Sequence, residues 1–265
     1  MEFDIDGNVA LTTASSAGLG YASAMALVRE GCHVVINGRN ETRLREAAER
    51  LREEATGDAR VVPMQGDLTD TADIQRLVEE TVREFGRLDH LVTSAGGPPS
   101  GPFLETTDQE WEEAYELLVM SVVRLVRAAA DDLRADDGGT IVTITSRTVK
   151  EAIDSLVLSN SVRMGVIGLE KTLSREFAPE VRCNAVLPGS HETDRIRELV
   201  EQAVERGEYD SYEEGLAARG SEVPLERIGD PIELGNTVAF LSSPKSGYIN
   251  GAAIPIDGGS TKSNL

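Results

Sequence analysis

The 265-residue sequence is poor in lysine, cysteine, histidine and aromatic residues. Its two cysteines, Cys32 and Cys183, sit in apolar strand-like settings, which points to buried free thiols rather than a disulfide or a metal pair. The three histidines, His33, His90 and His191, show no ligand spacing, so no metal site is expected. No stretch of 18 or more apolar residues occurs, so no membrane span is expected. The acidic start, Met1-Glu2-Phe3-Asp4, lacks the basic-then-apolar pattern of a secretion signal, and the expected location is cytoplasmic. Positive charge is scarce: 26 Lys and Arg stand against 46 Asp and Glu, a net charge of −20. That balance excludes nucleic acid as a partner, which needs a basic patch. Lysine is limited to Lys150, Lys171, Lys245 and Lys262. A very acidic, lysine-poor surface points to a halophilic protein, whose self-repulsion is screened by concentrated salt; the plainer alternative is an ordinary acidic protein.

Apolar runs of strand length alternate with helical patterns from end to end. Strands are predicted at 8–13, 33–37, 60–64, 90–93, 140–144, 181–186 and 252–256. These β-branched runs lack polar alternation, as strands buried on both faces of a parallel sheet do. Between them, Ile74, Leu77, Val78, Val82 and Phe85 recur at helical spacing. So do Trp111, Tyr115, Leu118, Val122 and Leu125, and again Val162, Val166, Leu169, Leu173 and Phe177. The order implies an α/β fold: a doubly wound parallel sheet of about seven strands in a single domain over 1–265. Residues 192–222, dense in Glu, Arg and Gly with Ile196, Leu199, Val200 and Val204 at helical spacing, read as a helical flap over the site. The tail 260–265 is expected to be disordered.

The segment Thr13-Ala14-Ser15-Ser16-Ala17-Gly18-Leu19-Gly20 follows the first strand and opens a helix. Small residues there let the backbone approach a pyrophosphate, and a helix N-terminus favours its charge. This loop resembles the Thr-Gly-x-x-x-Gly-x-Gly loop of the short-chain dehydrogenase/reductase family, with Ala14 at the first glycine. Further pieces follow in family order over residues 5 to 259. Asp67, followed by Leu68, matches the aspartate that contacts adenine, and Ser94-Ala95-Gly96 stands where the family has Asn-Ala-Gly. Pro188-Gly189 and Thr193 match the loop that holds the nicotinamide amide, and Asp257-Gly258-Gly259 matches the C-terminal signature. The resemblance implies a Rossmann-type dinucleotide-binding domain and looks closest to the branch labelled 3-oxoacyl-acyl-carrier-protein reductases. The second strand ends in Asn37-Gly38-Arg39-Asn40, with no carboxylate for a ribose 2′-hydroxyl. Arg39 can pair with a 2′-phosphate, which favours NADP, with NAD as the alternative. Ala17, where many NADP members place a second basic residue, gives no support, and the lesser alternative for Arg39 is a solvated loop residue.

The family's chemistry uses Asn, Ser, Tyr and Lys. Here the resemblance places Ser146 at the serine, Ser159 at the tyrosine, Arg163 at the lysine and Leu118 near the asparagine. No Tyr-x-x-x-Lys occurs anywhere in the sequence. A serine hydroxyl is a far poorer acid than a tuned tyrosine, and arginine stays protonated where lysine can relay a proton. Three readings follow. In the first, an atypical NAD(P)-dependent oxidoreductase acts on a carbonyl or alcohol, with a 3-oxoacyl compound as one candidate. Ser146 and Ser159 then bind the substrate oxygen, and Arg163 holds ribose or developing charge. In the second, the chain is a cofactor-binding pseudoenzyme with a regulatory or structural role. In the third, His191 or Lys150 is the acid–base group; the plain alternative for each is an exposed loop residue. The stiff lip at 97–103 suits an apolar small-molecule carbonyl substrate. The family pairs helices like 108–134 and 156–178 between subunits, which implies a homodimer or homotetramer; the alternative is that each stripe packs only on its own sheet.

Overall fold

The computed structural model describes residues 2–264, and within the seventh helix the side chains of Arg195, Glu198, Leu199 and Gln202 lie outside the described set. Seven strands form one sheet: β1 (Val9–Thr12), β2 (His33–Gly38), β3 (Val61–Gln65), β4 (His90–Thr93), β5 (Gly139–Ile144), β6 (Val181–Pro188) and β7 (Ala253–Ile256). Their order is β3-β2-β1-β4-β5-β6-β7, and all neighbours are parallel. β1 and β4 are buried along their whole length, as unbroken apolar runs require.

Helices cover both faces. α1 (Gly18–Arg29), α2 (Glu41–Glu53) and α9 (Pro231–Ser242) pack on one side, where Leu27, Ile36, Leu51 and Val238 form a common core. α3 (Thr71–Phe85), α5 (Ser121–Leu133) and α6 (Val157–Glu176) pack on the other through Leu77, Leu91, Leu125 and Leu173. Several starts have a local cause. Asp70 accepts hydrogen bonds from the backbone N–H groups of Ala72 and Asp73 at the head of α3. Thr107 and Glu110 form a capping box at α4 (Asp108–Tyr115), as Asp230 and Glu233 do at α9. Gly86, in the left-handed region at φ 79, ends α3.

The stretch 108–134, expected as one helix, is α4 and α5 joined by a π-helical turn over Glu116–Met120. Tyr115 of the expected apolar stripe is half exposed, while Leu118 in the wider turn is buried against α6. Two helices occupy the flap region, α7 (Asp194–Glu205) and α8 (Tyr212–Gly220). The tail corrects the expectation of disorder as far as Lys262. Asp257 accepts from the Thr261 backbone N–H at 2.8 Å, and Glu151 accepts from that of Lys262 at 3.1 Å. In a sheet of order 3-2-1-4-5-6-7, the chain reverses its winding between β1 and β4, and the strand ends there open a crevice.

Candidate active site

Every residue expected at the site lies in a loop or helix start just beyond the C-terminal ends of the strands, apart from Pro188, which ends β6, and Ser159 and Arg163, which lie on α6. The phosphate loop leaves β1 and is braced from both sides. Thr13 Oγ1 donates to the Ser94 carbonyl at 2.8 Å and accepts from the Ser94 N–H at 2.9 Å, tying the β1 and β4 ends together. Ser15 Oγ donates to the Thr12 carbonyl and accepts from the Asn37 N–H at 3.0 Å. Thr13 and Ser15 are fully buried, so their side chains hold the loop from within.

Asn37 is a residue the sequence reading passed over. Its Oδ1 accepts from the Ala14 N–H, and its Nδ2 donates to the carbonyls of Met64 and Gly66. One side chain thus fixes the ends of β1, β2 and β3; a buried polar residue closing an apolar strand is the signal that marks it. Ala14 adopts φ 44, a left-handed conformation that costs about 1–2 kcal/mol for a residue with a Cβ. Gly20 has no such latitude: a Cβ there would lie 2.6 Å from the Ala14 carbonyl oxygen. α1 then begins at Gly18, after the N-cap residue Ala17, whose side chain caps nothing. A glycine turn this tight, feeding an uncapped helix start, fits the pyrophosphate of a dinucleotide.

The crevice beside it is lined by Ser16, Arg39, Asp67, Leu68, Gly96 and Leu117, among others. The Arg39 guanidinium is exposed and makes no ion pair among the described residues. Asp67 accepts from the Thr69 N–H and hydroxyl; with that backbone bond as the main cause, its carboxyl stays below the usual carboxylate range. Gly18 and Thr193 are in contact distance, a Cβ on Gly18 falling 3.6 Å from Thr193 Cγ2. Gly189, after Pro188, touches Asp257 so closely that a Cβ would meet it at 2.6 Å.

On the catalytic side, Ser146 follows β5 and its Oγ accepts from the Thr148 N–H at 3.2 Å, which leaves the hydroxyl proton free to point outward. Ser159 Oγ lies 3.1 Å from Thr148 Oγ1, so Thr148, unremarked in the sequence, joins the two serines. Arg163 stands one turn further along α6 and is 8% exposed. It has no hydrogen-bond or ion-pair partner among the described residues, and its Nε is buried without one. Burial lowers its pKa to about 10, so it remains a cation at neutral pH. It lines a void of about 10 Å³ with Thr93, Ser94, Ala95, Leu118 and Thr143, enough room for one water. A buried cation without a counter-charge at the β4–β5 edge of the crevice suits a ribose or an oxygen carrying negative charge.

His191 corrects the exposed-loop expectation. It is 4% exposed, its Nδ1 lies 3.2 Å from the Gly189 carbonyl, and burial lowers its pKa. It lines a separate cavity of about 490 Å³ with Val223, Leu225, Arg227 and Asp257. Lys150 is half-buried rather than fully solvated. No group of three or more potential metal ligands occurs among the described residues, and no described helix is long and apolar enough to cross a membrane.

Residues 13–261 match the family model described as enoyl-(acyl carrier protein) reductase. The Caenorhabditis elegans dehydrogenase/reductase SDR family member 4 is 30% identical over 96% of this chain and 95% of its own length. The 3-oxoacyl-[acyl-carrier-protein] reductase FabG of Escherichia coli K12 is also 30% identical, over 97% and 98%. Among solved structures, L-sorbose reductase of Gluconobacter frateurii, complexed with NADPH and L-sorbose, superposes with a TM-score of 0.94 at 31% identity, covering 99% of this chain and 100% of that one. An NADPH-bound short chain oxidoreductase of Pseudomonas aeruginosa PAO1, described as containing an atypical catalytic center, gives 0.87 at 32% identity over 96% and 97%. With the sheet order, the braced glycine turn and these likenesses in agreement, the chain belongs to the short-chain dehydrogenase/reductase family.

Proposed function

We propose that the protein is an NADPH-dependent reductase of a small carbonyl compound, working with Ser146, Ser159 and Arg163 rather than a Tyr-x-x-x-Lys pair. The observation that carries this reading is Arg163, a buried cation with no partner among the described residues, lining a void beside Ser94 and Ala95. The phosphate loop, Arg39, Asp67 and the Pro188–Thr193 segment would hold the dinucleotide, and a reduced nicotinamide bound there supplies a hydride. Ser146 donates its free hydroxyl proton as a hydrogen bond to the carbonyl oxygen, Thr148 keeps both serines in register, and Arg163 opposes negative charge as it forms. The lone Arg39 at the end of β2, with Asn37 turned inward, supports NADP over NAD. NADPH in the two solved relatives named above supports the same choice. The apolar lip and the FabG likeness support a ketone or 3-oxoacyl thioester as substrate.

The α7–α8 segment acts as the flap over this crevice. Half-exposed Tyr115 and Met164, on helices α4 and α6, support a homodimer or homotetramer, which light scattering tests. The −20 net charge supports a cytoplasmic protein of concentrated salt, whose melting temperature rises between low and molar KCl. The central test is NADPH oxidation with a panel of ketones and 3-oxoacyl thioesters, alongside calorimetry. Turnover supports the reading. Tight NADPH binding without turnover makes the chain a cofactor-binding pseudoenzyme, and no binding of either dinucleotide overturns both.

A further inference from the structure

α6 presents one inward stripe, Arg163, Val166, Glu170 and Leu173, and two of these four positions are ionisable. Glu170 is 3% exposed, on the face of α6 that meets β5 and β6. A leucine would pack there without the penalty of burying a carboxyl group. One carboxyl oxygen accepts from Thr143 Oγ1; the other, Oε2, is buried and has no partner among the described residues. Thr143 Oγ1 in turn accepts from Thr93 Oγ1 at 2.8 Å, the two residues being register partners on β5 and β4. Thr93 and Thr143 both line the void beside Arg163. A continuous line of side-chain oxygens therefore runs from Glu170 to the candidate site.

We propose that Glu170 is the proton store of this site, exchanging one proton with the Arg163 void through the hydroxyls of Thr143 and Thr93. It acts through them as a positioning residue, and its catalytic part rests on the reductase reading above. In the delivering direction the two hydroxyls first turn about, Thr143 toward Thr93 and Thr93 toward the void, and the Glu170 carboxyl proton then passes to Thr143 Oγ1. The Thr143 hydroxyl proton passes to Thr93 Oγ1, and the Thr93 proton enters the void. The oxygen of a carbonyl that has received hydride from a reduced dinucleotide takes that proton, and Glu170 is left as a carboxylate. Solvent protons return along the same line when the site opens.

Glu170 is suited to hold a proton at neutral pH. Burial is the main cause of a pKa pushed up to about 8, opposed by the Thr143 bond. Few charges face it. β6 contributes Cys183, whose thiol pKa burial pushes up, while Arg182 turns to the carbonyls of Leu241, Ser243, Ser246 and Ile249. β4 and β5 contribute the two threonines, and Lys171 and Arg175 of α6 itself are exposed. Arg163, two turns away, is the cation of the stripe.

The test uses the full chain and three variants, Glu170→Gln, Thr143→Val and Thr143→Ser. Infrared difference spectra at pH 7 should show a neutral carboxylic acid C=O band in the wild type that Glu170→Gln lacks. NADPH binding should move this band, because ligand charge and excluded water both favour the neutral acid. Thr143→Ser should keep that response and Thr143→Val lose it. With a turned-over ketone, Glu170→Gln and Thr143→Val should each lower kcat at least tenfold with NADPH affinity unchanged, and should abolish the limb of the kcat–pH profile near pH 8. Thr143→Ser should restore both. A band that NADPH leaves unmoved, or a Glu170→Gln protein with wild-type kcat and pH profile, overturns the proposal and leaves the reductase reading standing. A wild-type protein that moves the band but turns over no substrate keeps the proton coupling and overturns the reductase reading instead.

Discussion

The two ends of the crevice are finished in opposite ways. Around the phosphate loop Thr13, Ser15 and Asn37 place their side-chain polar atoms against backbone partners, and the buried orphan beside them among the described residues is a neutral hydroxyl, that of Thr12. Around α6 the orphans are ionisable, and both Arg163 Nε and Glu170 Oε2 are buried without a partner among the described residues. A loop braced in this way is a rigid receptor whose shape exists before the ligand arrives, which lowers the ordering cost of binding. Orphaned ionisable groups store unfavourable desolvation that a ligand or a proton can relieve. On the proposed reading, the first region serves affinity and the second chemistry.

The contrast can be broken most severely at Gly20. Gly20→Val drives side-chain atoms into the Ala14 and Thr13 carbonyls, and NADPH affinity should fall at least 100-fold by calorimetry while circular dichroism shows a folded chain. Wild-type affinity would mean that the turn is not the dinucleotide seat. Next is the double change Ser159→Tyr with Arg163→Lys. If the α6 end lacks only a strong acid, ketone turnover should rise by ~10²-fold, the lower range for general acid catalysis; an unchanged rate would remove the substrate assignment. Arg39→Ala should weaken NADPH by ~10–100-fold, the worth of a charged hydrogen bond, and leave NADH within about twofold. Equal losses for both dinucleotides would take the 2′-phosphate away from Arg39.

The smallest effect is on stability. Glu170 carries its proton in the folded state up to pH about 8 but loses it near its ordinary value when unfolded, so between these limits the native state holds the extra proton. Stability from this group is present at low pH and falls as pH rises to 8, by about 1.4 kcal/mol per unit at most. His90, buried between Asn8 and Thr140 with a pKa lowered to about 4, has the opposite slope between 4 and 6.5. The two offset each other there, and the fall should emerge between pH 6.5 and 8. Glu170→Gln should flatten it in thermal melts; an unaltered slope would mean that Glu170 titrates normally.

Much of this was legible in the chain. Unbroken β-branched runs such as His90-Leu91-Val92-Thr93 gave strands because a strand buried on both faces has no reason to alternate. β3 was fainter because it is an edge strand, with Val62 and Pro63 only half-buried. The small residues of 13–20 marked the phosphate loop, since close approach of backbone needs them. The π turn at 116–120 left no trace, because it changes hydrogen-bond spacing and not polarity. His191 was misjudged because its burial comes from Gly229, 38 positions away, whose Cβ would lie 2.9 Å from the imidazole. Glu170 sat in plain view on an apolar stripe, yet only the positions of Thr143 and Thr93 turn an oddity into a connected line.

At the head of α7, Thr193 rests on Gly18 and Asp194 pairs with Arg43 of α2 at 3.5 Å. The segment thus touches both α1 and α2. An exposed ion pair of this kind opens far faster than a ligand arrives and is weakened by salt, so it sets no gate on its own. Stopped-flow association should therefore rise in proportion to NADPH concentration, and a plateau would show that the segment must first swing aside.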